Sequence, residues 1–136
     1  MSSTSMGLSG AGIPISNSTS ANPSTLNSWL QANGGYDGSN DFIEEALPAL
    51  DPERVFWPSD AMHRANDVEY GVVCEWVEES GRVVIANVRN GGHFVLITGC
   101  GEDGDTYYVN DPGFDVGEYS YKNDVVGYRI FDMLRE

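Results

Sequence analysis

Two residues able to move protons stand close together in the second half of the chain. The stretch "NGGHFVLITGC", residues 90 to 100, carries His93, one of only two histidines, and "VNDPG", residues 109 to 113, carries Asp111. An imidazole at the mouth of an apolar strand, with a carboxylate in a nearby tight turn, suits general base and acid work. The carboxylate fixes the tautomer of the ring and stabilises its charged form. If "RVVIANV" and "HFVLITG" pair through "RNGG", His93 opens a strand just past a glycine pair that lets a substrate backbone approach. "HFVLITG" then runs away and "TYYVND" runs back antiparallel, which returns Asp111 to His93. Singly, each has a simpler reading: a hairpin histidine with a local hydrogen bond, and an Asx turn before Pro112.

A base of this kind needs a nucleophile. Cys74 falls in the middle of a helical segment, nearer its negative end, and Cys100 closes the strand that His93 opens, about 20 Å away. Neither is well placed. Two cysteines are too few for a disulfide framework and too far apart for a metal-type pair, and two separate buried thiols are favoured over a single bridge. Ser2 and Ser3 lack an oxyanion donor. His63, in "DAMHRAND", reads as a surface-loop histidine. Glu102, Asp103 and Asp105 in "GEDGDT" lack the spacing of an EF-hand and read as a hairpin turn. No metal cluster, phosphate loop or dinucleotide fingerprint occurs, so neither a metal nor a cofactor is implied.

The elements that must position this pair follow from periodicity. "SSTSMGLSGAG" is a poor helix unless packed tightly, because each glycine costs about 1 kcal/mol relative to alanine. Pro23, Ser24 and Thr25 open a helix with Leu26, Trp29 and Leu30 on one face and Gly34 as its stop. "DFIEEALPAL" predicts another, capped by Asp41, with Phe42, Ile43, Ala46 and Leu47 inward and Pro48 limiting it. "ERVFWP" is a short strand. "DVEYGVVCEWVEESG" returns to helical spacing, with Val72, Val73, Trp76 and Val77 on one side. The period then becomes two: "RVVIANV", "HFVLITG", "TYYVND" and "VGYRIFDM" predict strands, and the intervening "PGFDVGEYSYKND" reads as a turn-rich connection. Helices followed by an antiparallel meander make an α+β fold, expected as a single domain over residues 1–136.

Seven Lys plus Arg against twenty-one Asp plus Glu give a net charge of −14, with no basic run. That excludes the phosphate-neutralising footprint of a nucleic-acid binder, and an anionic membrane would repel the chain. No apolar run is long enough for a membrane span, so no membrane insertion is expected. The start has no signal-peptide pattern, which fits either a protein kept inside the cell or a mature or excised piece of a longer one. The acidity keeps the surface soluble and favours a basic or neutral peptide as partner.

The segments "GGHFVLITGC" and "DGDTYYVNDPGF" resemble the histidine and aspartate segments of papain-like cysteine peptidases of the double-glycine-leader-processing type, including the stand-alone C39-like peptidase domains. "LNSWLQANGGY" and "ESGRVVIANV" are similar to the stretches these domains carry after their first helix and before their histidine. The resemblance spans nearly the whole chain and implies a papain-like fold, with helices packed on an antiparallel sheet. It also implies hydrolysis of peptide bonds, with His93 as general base and acid, Asp111 as its orienting residue, and a peptide or protein as substrate. In this family the nucleophile opens the first helix in a C-x-x-T-S pattern, preceded by an oxyanion glutamine. Thr4 and Ser5 match that pattern, and Met1 falls where the cysteine stands, with no glutamine before it. A thioether has no proton to lose. Two readings follow: a cysteine-peptidase-like hydrolase given without its natural first residues, or an inactive papain-like domain that binds a peptide or protein in the same cleft. An intact dyad favours the first, since a dead site has no evident reason to keep it. In a third, His93 and Asp111 are only turn residues of an interaction domain.

Overall fold

A computed structural model describes residues 2–16, 19–39 and 41–134. Met1, the position aligned with the family's nucleophile, lies outside the described residues. The fold is a mix of helices and antiparallel sheet, as the α+β expectation requires. Its residues group into two compact units, 1–57 with 132–136 and 58–131.

In the first unit the glycine-containing start is helical: α1 spans Ser2–Gly10. It has no amphipathic stripe, and packing takes its place. Ser3, Thr4, Ser5, Gly7 and Leu8 are buried, and the small side chains let α1 lie close against α2. The helix ends in a Schellman motif: Gly12 takes a left-handed φ of 71°, its amide donates to Ser9 O, and Ile13 N donates to Leu8 O at 2.9 Å. Helix α2, Pro23–Ala32, is capped by Asn22, which accepts from Thr25 N while Thr25 Oγ1 accepts from Asn22 N. Leu26 and Leu30 are wholly buried.

The third expected helix is a correction. Residues Glu44–Leu50 form a 3₁₀ helix, Ile43 precedes it with no side-chain cap, and Asp41 instead closes a loop with Asp37. Pro48 lies within the segment, and a proline there removes an amide donor and crowds the carbonyl four residues back, which disfavours α-helix. Of the four side chains expected inward only Leu47 is fully buried. Strand β1, Val55–Phe56, pairs with Met133 and Asp132. Arg54 donates from Nε to Leu134 O and from Nη2 to Ala11 O, both at 2.9 Å.

The second unit is built on an antiparallel sheet. Its strands are β2 (Met62–Arg64), β3 (Val83–Val88), β4 (His93–Cys100), β5 (Thr106–Asn110), β6 (Glu118–Ser120) and, as far as Phe131, β7 (Gly127–Met133). β3 to β6 form the meander, while β7 returns to the free side of β3 and also takes β2. Alternate residues of β3, β4, β5 and β7, among them Val84, Ala86, Val95, Ile97, Tyr107 and Tyr128, bury one face under helix α3, Tyr70–Glu78, which contributes Val73. Tyr107 and Tyr128 meet hydroxyl to hydroxyl at 2.9 Å within this core, so neither polar group is left unpaired.

Three expectations change here. Val72 is 38% exposed, because only Val73 of the adjacent pair points into the sheet. Cys74 and Cys100 are joined in a disulfide, with Cα atoms 5.9 Å apart. α3 crosses the end of β4, bringing into reach two residues that the sequence separates. His63 lies on β2, half-buried, its ring 5.6 Å from that of Trp76, and is not a surface-loop residue. "DAMHRAND" carries no alternating apolar pattern, and its strand character comes from pairing with β7.

Candidate active site

His93 opens β4 directly opposite Val88, the last residue of β3, across the turn formed by Arg89–Gly91. That turn is tight enough to place two non-glycine residues in the left-handed region, Arg89 at φ 52° and Asn90 at φ 57°. Such conformations carry a cost and persist where surrounding contacts hold them. Asp111 follows the end of β5. Asn110 pairs with Leu96 of β4, so the next side chain turns to the face on which His93 lies.

The two meet. His93 Nε2 lies 2.6 Å from Asp111 Oδ1. The Asp111 side chain is closed off from solvent, and that of His93 is 17% exposed. Oδ1 also accepts from the amides of Gly113 and Phe114, each at 2.9 Å, and Oδ2 accepts from the Tyr119 hydroxyl at 2.6 Å. The Asx-turn reading of Asp111 therefore does not exclude the dyad reading, since one carboxylate makes both sets of bonds. Burial by itself would raise the Asp111 pKa, but the bonds from Tyr119, Gly113, His93 and Phe114 outweigh it and bring the carboxyl down from 3.8 to about 2. An ionised Asp111 can only accept, so Nε2 carries the proton between them. Nδ1 of a neutral imidazole is then the basic nitrogen, and it has no hydrogen-bond partner among the described residues.

Acid stability should report this arrangement. In an unfolded chain Asp111 titrates near 3.9, so the stability it lends is complete above that value and fades as the pH falls toward its folded value of about 2. We expect the melting temperature to drop between about pH 4 and pH 2, and Asp111→Asn to flatten that slope. Parallel melting curves for the two proteins would show that Asp111 is not the group being titrated.

Gly113 makes the approach feasible. A Cβ there would sit 3.0 Å from His93 Cε1. Gly113→Ala should push the ring aside and cost roughly 1–2 kcal/mol. In NMR spectra the Nε2 proton should exchange faster with water, and unchanged exchange would show that the turn does not hold the ring.

Three further residues complete the surroundings, and none was singled out from sequence. Arg89 Nε donates to the Tyr119 hydroxyl at 3.2 Å, and its guanidinium carbon lies 3.7 Å from the Phe114 ring centroid. Phe114 stands edge-on to His93 with centroids 5.0 Å apart. Tyr119 sits on β6, within the stretch read as a connection. "EYSY" does alternate with period two, and that was the available signal; Arg89 and Phe114 gave none beyond adjacency to the turn and to Asp111.

With both cysteines in the disulfide, neither offers a thiol. Ser2 and Ser3 belong to α1, where Ser3 is buried. Asp103 closes a turn by accepting from the amides of Asp105 and Thr106, while Asp105 accepts from Ser120 Oγ, so Asp103 and Asp105 are occupied within the chain. Among the described residues no cluster of His, Cys, Asp or Glu could hold a metal ion, and no helix is long and apolar enough to cross a membrane. No protein-family model, curated protein or solved structure matches the chain.

Proposed function

We propose that His93 and Asp111 are the base half of a papain-like cysteine-peptidase site that acts on peptide bonds, as the resemblance of their two segments to the double-glycine-leader-processing peptidases implies. The observation that carries this reading is the shielded bond from Nε2 to Asp111, with the other ring nitrogen left for proton transfer. In such a site Nδ1 takes the proton of a thiol as the sulfur attacks the peptide carbonyl, then returns it to the leaving amine. Asp111 holds the ring in that tautomer and stabilises the imidazolium between the two transfers. The thiol would stand at position 1, where Met1 is found. The test is the Met1→Cys protein, whose new sulfur should ionise well below the ordinary thiol range.

A second reading is favoured by one observation: with Cys74 and Cys100 bridged, this sequence carries no thiol. In that case the site binds a peptide or protein without cleaving it. His93→Ala should then leave affinity for such a partner within about twofold, because no proton transfer is required. A tenfold loss would speak against it.

A further inference from the structure

The dyad is flanked by a cation that pairs directly with no carboxylate among the described residues; its link to Asp111 runs through the Tyr119 hydroxyl. Arg89 is solvent-exposed and forms no ion pair among the described residues, in a protein with three times as many acids as bases. Its plane is nevertheless fixed on two sides. One face lies on the Phe114 ring, and the Nε edge is spent on Tyr119. What remains is the outer pair of Nη groups, which donate to no partner among the described residues and form a fork on an exposed side chain. A guanidinium held this way loses little freedom on binding and matches a carboxylate with two parallel hydrogen bonds. Arg89 itself takes the left-handed backbone that tight hairpin turns use, which seats its side chain at the mouth of the hairpin beside His93.

The position relative to the dyad sets the scale. His93 and the Arg89 guanidinium contact the same phenyl ring. They are therefore separated by no more than a few residues of extended peptide, at about 3.3 Å per residue. Phe114 is itself 48% exposed and offers an apolar surface between them.

Resting on the peptide-acting reading of this site, we infer that Arg89 is a carboxylate anchor, so that the peptide bound here presents a carboxylate within a few residues of the bond facing His93. The net charge of the chain favours basic or neutral peptides. At contact distance, however, one held cation outweighs acids beyond a screening length of about 8 Å, and the nearer Asp111 has both its oxygens engaged by His93, Gly113, Phe114 and Tyr119. Arg89 thus defines a specificity that the overall composition does not.

The test uses the chain as it stands, with Met1 in place, and therefore needs no catalysis. The ¹⁵N-labelled protein is titrated with two carboxylate probes, N-acetylglycine for a chain terminus and N-acetylglutamate α-amide for an acidic side chain, and with their neutral counterparts N-acetylglycinamide and N-acetylglutamine α-amide. Saturable shifts of the Arg89 Nε–H and the His93 ring signals are expected with at least one carboxylate and neither amide. A response to the first alone assigns the ligand to a peptide C-terminus, to the second alone an acidic side chain, and to both a carboxylate of either origin. Arg89→Gln should weaken the response roughly tenfold. Arg89→Lys, which keeps the charge but loses the fork and the ring contact, should weaken it nearly as much. Equal shifts with acid and amide, or a carboxylate response that survives Arg89→Gln in a protein whose other amide signals are unchanged, would overturn the anchor. An anchor that holds while a thiol at position 1 proves inert would overturn the peptidase reading alone.

Discussion

The Met1→Cys protein should carry a thiol whose alkylation by iodoacetamide inflects below about pH 6.5, against about 8.5 for a free cysteine. Because Cys74 and Cys100 are bridged, the new sulfur is the only one that reacts, and the profile can be read without correction. His93→Ala in that background should return the inflection to about 8.5. Two units is a hundredfold change in thiolate at pH 6, the largest effect expected of any substitution in the site. Asp111 separates orientation from charge. Asp111→Ala removes both and should return most of the shift. Asp111→Asn keeps an acceptor for Nε2 and for the amides of Gly113 and Phe114 but loses the negative charge, so its profile should fall between the two. An inflection near 8.5 in the Met1→Cys protein itself would end the peptidase reading.

The second large effect concerns stability. The disulfide closes a loop of 26 residues between α3 and β4. Cross-links of that span restrict the unfolded chain by about 3 kcal/mol. The Cys74→Ala, Cys100→Ala double variant should therefore melt roughly 10 °C lower. Since β4 also begins with His93, the hydrogen bond to Asp111 gives a local measure. The Nε2 proton should remain protected in the folded double variant, because the bridge lies at the opposite end of the strand. A melting temperature within 2 °C of the parent would show that the bridge adds little to what core packing already supplies.

The strands that carry the site were legible because β-branched and aromatic residues recur with period two between glycine-rich turns, and strand lengths alone then brought residue 111 back to residue 93. What escaped had weaker local signals. The 3₁₀ segment has helical spacing, and only Pro48 argued otherwise. β2 and β6 are three residues each and exist through their neighbours. The disulfide depends on where α3 crosses β4, which no spacing in the sequence encodes. Arg89 and Phe114 come to the dyad through the shape of two turns. Turn shape depends on φ values that a sequence rich in Asn and Gly permits without specifying.

The four donors gathered on Asp111 have a diagnostic consequence. A carboxylate that closes its own turn and receives the Tyr119 hydroxyl has work to do in the folded chain whether or not any bond is ever cut. A protein that had abandoned hydrolysis would still need it. Its presence is thus neutral between an enzyme and an inert descendant, although the intact pair looked at first like evidence for the former. His93 is the more informative partner: its remaining nitrogen bonds nothing among the described residues and, with the side chain 17% exposed, stays open to water or to a bound group.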